Sequence, residues 1–119
     1  MKPKEFGKEG ERLAARFLEE KGYSIIETNF QKRIGEIDLV AFDPQRNETV
    51  FVEVKSRRNR AFGTPEEAIT PRKLEKMAGA AELWLQEKGI NDSEWRLDLV
   101  AIECPRNQKT IIRHIENLG

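Results

Sequence analysis

Two β-rich runs separated by a turn constrain this chain more than any other feature. The runs have strand-like residues throughout and read GEIDLVAFD (35–43) and ETVFVEVKS (48–56). The four residues between them, PQRN, have the chemistry of a turn. An antiparallel hairpin closed by this loop places Asp43 opposite Glu48. The hydrophobic pattern depends on this register, because a slip of one residue would turn every side chain to the other face.

The predicted register brings charged side chains to one face of the hairpin. It sets Asp38 directly across from Glu53, and Glu36 across from Lys55. Because strand side chains repeat every two residues, all four share a face. Directly opposed residues have Cβ atoms only ~5 Å apart, and like charges at that separation are destabilising. We therefore interpret Asp38 and Glu53 as a pair that holds a divalent cation.

An ordinary half-solvated hairpin also alternates charged and apolar residues, and the strand pattern alone leaves that alternative open. Two features favour the cation. Val40, Phe42 and Phe51 share the face of the two acids, and the runs 39–42 and 50–52 are unbroken apolar segments. Such segments are typical of strands covered on both faces. Charged groups in covered strands are costly unless they are paired or bind a metal.

Length and composition narrow the class of protein. A chain of 119 residues predicts one domain, 1–119. Its 21 basic and 21 acidic residues cancel, so any contact with nucleic acid must come from local clusters. The single cysteine and the single histidine exclude an internal disulfide, a multi-cysteine zinc site and an HExxH motif. No apolar stretch approaches the ~20 residues of a membrane span, and the start, MKPKEFGKEGER, does not resemble a signal peptide. We expect no membrane association and a cytoplasmic location.

The hydrophobic periodicity predicts the order α-β-β-β-α-β-β. Outside the hairpin, the predicted elements are a helix (4–21), a strand (23–30), a capped helical turn (64–67), a longer helix (70–88) and two strands (95–103 and 109–115). Gly22 and Gly89 stand where the two helices end. Because helices separate the groups of strands, this order favours an α/β fold with a central mixed sheet flanked by helices.

An acid on the first helix, an aspartate on one strand and Glu-x-Lys on the next resemble the PD-(D/E)xK nuclease superfamily. Here these residues are Glu11, Asp38, Glu53 and Lys55. More closely, GxxGE at 7–11 and the segments GEIDLVA, VFVEVKSR and RLDLVA resemble the YraN-like family of uncharacterised bacterial proteins. That family is similar in layout to archaeal Holliday-junction resolvases. The resemblance implies a restriction-endonuclease-like αβββαβ core with an extra C-terminal strand.

The same resemblance implies a nuclease that uses Mg²⁺ or Mn²⁺ to hydrolyse structured or branched DNA. Asp38, Glu53 and Glu11 would be metal ligands, since carboxylate oxygens suit these hard cations. Lys55 would orient the attacking water or stabilise the developing charge, which makes these four the expected catalytic residues. By analogy, a homodimer would supply the two sites that cutting both strands requires. A non-catalytic nucleic-acid-binding or scaffold domain of the same fold is the alternative.

Two acids keep alternative roles. Glu11 borders the buried stripe of its helix, and its other interpretation is an ordinary surface charge. Glu36 is either a further ligand or only a salt-bridge partner of Lys55. Asp98 occurs in LDLVAIE (97–103), which is similar to IDLVAFD (37–43). We favour a structural hydrogen-bonding role for Asp98 over a place near the site.

Basic residues flank the hairpin in three clusters, which are Lys32 and Arg33; Arg57, Arg58 and Arg60; and Arg72, Lys73 and Lys76. Clusters on several sides of one acidic hairpin predict a track for phosphates beside the metal. The expected contacts are, first, Arg57, then Lys73, and with them Arg33, Arg58 and Arg60. Tyr23, Trp84 and Trp95 are interpreted as packing residues rather than as platforms for bases.

Overall fold

A computed structural model describes residues 2–119 and contains one five-stranded sheet with a helix on each face. Its elements are α1 (Pro3–Glu20), β1 (Ser24–Lys32), β2 (Gly35–Asp43), β3 (Glu48–Arg57), a 3₁₀ helix (Pro65–Ala68), α2 (Pro71–Glu87), β4 (Trp95–Glu103) and β5 (Ile111–Ile115). The strands lie in the order β1-β2-β3-β4-β5, and only β3 and β4 are parallel. This confirms the predicted mixed α/β class. The arrangement is consistent with a restriction-endonuclease-like αβββαβ core followed by an extra strand.

The β2–β3 hairpin has the predicted register over its paired length. The ladder runs from Asp43 opposite Glu48 to Leu39 opposite Val52. Beyond that last pair the two strands separate, because β2 remains paired with β1 while β3 continues beside β4 as far as Arg57. A gap therefore opens in the sheet at the position where the predicted acids lie.

Each face of the sheet buries its own apolar core. On one face, α1 buries Gly10, Ala14 and Leu18, which lie one turn apart and therefore share a side of the helix. On the other face, α2 buries a stripe that consists of Met77, Ala80, Ala81, Trp84 and Leu85. Neighbouring residues of β2 and β3 consequently serve different cores, which explains their unbroken apolar runs.

The three aromatic residues interpreted as packing residues do pack inside the fold. The ring of Phe51 makes edge contacts with the rings of Trp84 and Trp95, with centroids 5.6 and 5.8 Å apart. Tyr23 is 9% exposed, and its hydroxyl accepts a 2.7 Å hydrogen bond from Arg96 Nη2. In the described part of the chain, neither helix combines the length and apolarity that crossing a bilayer requires.

The first turns of α2 lie against the gap between β2 and β3. Thr70 caps the helix by accepting a 3.1 Å hydrogen bond from Lys73 N, and Pro71 occupies the first helical position. Gly35, at the start of β2, lies so close to α2 that a Cβ there would overlap the Lys76 carbonyl group. The absence of a side chain at this glycine thus lets the helix approach the sheet.

Gly35→Ala tests this close approach. We expect a loss of about 1–3 kcal/mol in the free energy of unfolding, because the added methyl group forces backbone apart in a packed region. Gly7→Ala is the matched control, since a Cβ at Gly7 meets no heavy atom within 4 Å. It should stabilise α1 by up to about 1 kcal/mol. Urea unfolding of both variants measures the effects, and a Gly35→Ala protein as stable as wild type would contradict the close approach.

Candidate functional site

The gap between β2 and β3 forms a polar pocket of about 330 Å³. All four residues predicted to be catalytic line it, and they come from three elements: Glu11 from α1, Asp38 from β2, and Glu53 and Lys55 from β3. Glu36, Arg57 and Lys73 line the same pocket. The fold therefore brings Glu11 and Lys73, which are 62 positions apart in sequence, to the same pocket. We call this the acidic pocket.

Asp38 and Glu53 meet in a different way from the one predicted. The ladder ends at Leu39 opposite Val52, so the two acids are not ladder partners. Instead the Asp38 carboxylate reaches across the gap, and its Oδ2 accepts a 2.8 Å hydrogen bond from Val54 N. This bond holds Asp38 beside Glu53.

Burial distinguishes this pair from the acids of an ordinary half-solvated hairpin. Glu53 is only 4% exposed. Burial, and then the negative charge of Asp38, raise the pKa of Glu53 from 4.5 to about 7, although Lys73 opposes the shift. Burial likewise raises the pKa of Asp38, against the hydrogen bonds from Val54 and Glu53. A proton shared between the two carboxyl groups relieves their repulsion, and a bound cation would do the same.

Lys73 is the cation nearest to Glu53. Its Nζ lies 3.3 Å from Glu53 Oε2, and its side chain is 30% exposed. A positive charge in the first turn of a helix opposes the helix dipole, so the capped start of α2 does not by itself favour a lysine there. Lys73 was predicted to contact phosphate beside the metal, and that contact stays a prediction; in the structure Lys73 lies against Glu53 as a counter-ion.

Lys55 and Glu36 both line the acidic pocket but do not form the predicted pair. Lys55 is half-buried, and its charge lowers the pKa values of both Asp38 and Glu53. Glu36 is exposed and pairs with Gln31 of β1 in the sheet. Within residues 2–119 no carboxylate forms an ion pair with Lys55. The ammonium group of Lys55 therefore faces the pocket without a fixed partner there.

Glu11 is a half-buried pocket residue rather than a surface charge. Burial, and next the charge of Asp38, raise its pKa, whereas a hydrogen bond with the Asn29 side chain lowers it. The sequence reasoning missed Asn29. In the structure its φ is 54°, which is unusual for a strand residue. Among residues 2–119, no three His, Cys, Asp or Glu side chains are arranged to hold a metal ion together. Asp38 and Glu53 are therefore the adjacent pair of carboxylates at the site, and Glu11 lines the same pocket, where its role as a ligand stays a prediction.

The predicted arginine contacts lie in three different places. Arg57 lines the acidic pocket, and its buried Nε lacks a hydrogen-bond partner in the described chain, as does the buried Oγ of Ser56. Arg58 and Arg60 line an adjoining cavity, where Arg60 donates two hydrogen bonds of 2.9 and 3.0 Å to Glu103. Arg33 lies in the β1–β2 turn and lines a separate depression against α2. The structure thus brings Arg57 to the acidic pocket and leaves Arg33 outside it.

Asp98 takes the structural role. It is fully buried on β4 and accepts hydrogen bonds from Arg96 Nε (3.1 Å) and Asn117 N (3.0 Å). Its Oδ2 also lies 2.7 Å from His114 Nε2, and Lys21 Nζ lies 2.6 Å from the other ring nitrogen. Sequence reasoning missed these partners of His114, because they come together only when β5 pairs with β4.

Comparison of the sequence with known proteins shows which family the chain belongs to. The model of the uncharacterised protein family UPF0102 matches residues 10–102. The chain belongs to this family. A UPF0102 protein of Renibacterium salmoninarum is 44% identical over 97% of this chain and 96% of its own length. One from Syntrophomonas wolfei is 46% identical over 96% of both chains, and one from Geobacter sulfurreducens is 44% identical over 93% and 85%.

The UPF0102 match confirms the predicted YraN-like family, while the wider resemblance to PD-(D/E)xK nucleases stays a prediction. The matched region begins at residue 10 in α1 and ends at residue 102 in β4. It therefore includes Glu11, Asp38, Glu53 and Lys55, together with Arg57 and Lys73. The segment matched by the UPF0102 model thus contains every acidic residue that lines the pocket.

The raised pKa of Glu53 predicts a pH-dependent cost to the metal-free fold. Between its ordinary pKa of 4.5 and about 7, the folded state binds more protons than the unfolded state, so stability falls as pH rises through that window. Glu53→Gln cannot ionise and should exceed wild type by about 2 kcal/mol at about pH 8, with little difference near about pH 5. Urea unfolding at both pH values measures this. Glu75→Gln, an exposed change on α2, is the control, and an equal gain from Glu53→Gln at both pH values would contradict the assignment.

Proposed function

We propose that this UPF0102 protein is a metal-dependent nuclease that hydrolyses phosphodiester bonds in structured or branched DNA with Mg²⁺ or Mn²⁺. One observation carries the proposal: Asp38, Glu53 and Lys55 converge in a pocket opened by the separation of β2 from β3. A buried acid, Glu53, next to the half-buried acid Asp38 and a lysine with no fixed partner is costly for stability and typical of catalytic sites. Paired cuts across a branch would require a second copy of the chain.

The residues of the acidic pocket fit a hard divalent cation. The donors at the site are carboxylate oxygens, which Mg²⁺ and Mn²⁺ prefer. Mg²⁺ is commonly held by only one or two carboxylates, with water and substrate phosphate completing its shell, so Asp38 and Glu53 suffice without a third acid. When bound, such an ion supplies charge stabilisation and activates water.

The remaining pocket residues have distinct roles in this proposal. Lys55 offers a positive charge beside the two acids, where it would stabilise the charge that develops on the reacting phosphate. Lys73 neutralises part of the charge of Glu53 in the metal-free protein and becomes available to phosphate when a cation takes its place. Arg57 lines the pocket, and its guanidinium group would contact a backbone phosphate at the rim.

A second function, a nucleic-acid-binding domain without turnover, has one observation in its favour. Glu11 bonds with Asn29, and the part of the chain that the structure describes contains no ready cluster of three metal-ligating side chains. A domain of this kind would bind DNA through the same basic residues. Cleavage and metal binding, tested next, distinguish the two functions.

The first test concerns the metal and does not require the substrate. Mn²⁺ at about 100 times its dissociation constant should stabilise the wild-type fold by ~2.7 kcal/mol and raise its melting temperature. Asp38→Asn should abolish this response and raise the metal-free melting temperature, because it removes one of two repelling charges. Asp92→Asn, in the exposed loop before β4, is the matched control and should respond as wild type does. Melting curves that Mn²⁺ leaves unchanged would argue for the non-catalytic domain.

The second test concerns turnover. Lys55→Ala should lower cleavage about 10²–10³-fold, the usual effect of removing one preorganised group that stabilises transition-state charge. Its affinities for Mn²⁺ and DNA should stay within about threefold, since the ligands and Arg57 are intact. Labelled linear, nicked, flapped and four-way DNAs are the substrates. Lys109→Ala, an exposed change before β5, is the control, and undiminished cleavage by Lys55→Ala would sink this mechanism.

A further inference from the structure

A second cavity, of about 860 Å³, adjoins the acidic pocket. Phe6 of α1 lines both spaces, so they adjoin at this side chain. The opposite walls come from the loop after β3, with Arg58 and Arg60, and from the loop after β4, with Cys104 and Arg106. We call this space the arginine cavity. Ligand sites in proteins are commonly clefts of about this volume, mostly apolar and with a few placed polar groups.

The charges around the arginine cavity favour an anionic occupant. Three arginines line it (Arg58, Arg60 and Arg106), whereas Glu103 is its one acidic lining residue. The Glu103 carboxylate is already bonded to Arg60 at 2.9 Å and to Arg113 at 2.8 Å. These contacts hold the pKa of Glu103 down at about 2, so it stays ionised and paired. The acid is thus neutralised by its own partners, and the cavity keeps a surplus of positive charge.

The wall next to the acidic pocket is flat and suits an aromatic ring. The guanidinium carbon of Arg58 lies 4.4 Å from the centroid of the Phe6 ring, which forms a cation–π pair. Pro105 and Ile111 supply apolar surface elsewhere in the cavity. Unpaired nucleobases stack on both aromatic rings and arginine planes, while their phosphates bind arginine. Flat apolar surface with surplus positive charge therefore favours a nucleotide over an acidic peptide, which has no ring to stack.

We propose that the arginine cavity accepts an unpaired nucleotide of the substrate, with its base against the Phe6–Arg58 pair and its phosphate toward Arg106. This inference rests on the proposed nuclease function and narrows its substrate class. The bond to be cut would lie in the acidic pocket, which adjoins the arginine cavity at Phe6. A continuous duplex keeps its bases stacked inside the helix and cannot fill the cavity. The substrate is therefore DNA with a flap, bulge or open branch point beside the cleaved bond.

Cys104 provides a direct report of occupancy, because it is the single cysteine of the chain and lines the arginine cavity. The full chain, kept metal-free so that nothing is cut, is alkylated with iodoacetamide, and the rate is followed by mass spectrometry. Saturating flapped DNA should slow alkylation by about tenfold, the scale of one stacked base. A fully paired duplex of the same sequence, also saturating, should slow it less than about twofold. A poly-glutamate peptide should not slow it.

Substitutions locate the effect in the cavity. Phe6→Leu should weaken binding of flapped DNA by about tenfold and leave duplex binding within about twofold, since stacking is lost and the phosphate contacts remain. Phe6→Tyr keeps the ring and should restore both the flap affinity and the protection of Cys104. Arg106→Gln should reduce the protection. Arg46→Gln, the same change in the β2–β3 turn at the other end of the hairpin, should not.

The outcomes separate this inference from the function beneath it. Protection of Cys104 by duplex as strong as by flapped DNA, or protection by the acidic peptide instead, would overturn the unpaired-nucleotide site. Flapped DNA that binds and is cut with Mn²⁺ but leaves Cys104 unprotected would overturn the site while the nuclease function stands. A protein that binds none of these DNAs would overturn both.

Discussion

The position of β3 at the centre of the sheet is the constraint on which the rest of the structure depends. β3 pairs antiparallel with β2 on one edge and parallel with β4 on the other, and both of its faces are covered by helices. Its pairing with β4 continues to Arg57, whereas its pairing with β2 ends at Val52. The backbone on the open edge then needs new partners, and Asp38 supplies one by accepting from Val54 N. The acidic pocket is a consequence of this unequal pairing.

The two ends of the hairpin treat buried charge in opposite ways. At the turn end, Arg96 is bonded to Asp43, Glu48 and Asp98, so cation and acids neutralise one another inside the fold. In spite of burial, Arg96 lowers the pKa of Asp43, and hydrogen bonds from His114, Asn117 N and Arg96 lower the pKa of Asp98. At the open end, the pKa of Glu53 rises to about 7 in spite of Lys73. The acidic surplus at the open end is relieved by a proton, and the proposed cation would relieve it in the same way.

The family match shows which family the chain belongs to, whereas the geometry of the pocket supports the proposed chemistry. Membership in UPF0102 rests on a match over residues 10–102 and on relatives more than 40% identical along nearly the whole chain. The chemistry proposed for the family rests on the pocket, because function belongs to sites rather than to folds. The arginine cavity adds a reason for preferring branched or flapped DNA to duplex. It also joins the two ends of the chain to one surface, since Phe6 and Arg106 both line it.

The resemblance to PD-(D/E)xK nucleases indicated the set of acids and lysine that share a pocket, and the sequence by itself determined the element order and the hairpin register. These follow from local chemistry: the turn PQRN, the apolar runs of covered strands, and the glycines and capping residues that end or begin helices. Only the tertiary structure decided that Asp38 reaches its partner across a gap and that Lys73 pairs with Glu53. It alone also gave Asp98 its partner His114. The physical reason is that each of these contacts joins different elements, whose separation is set by how the strands pair and how the helices pack on the sheet. The residue pattern within one segment does not specify the distance between two elements.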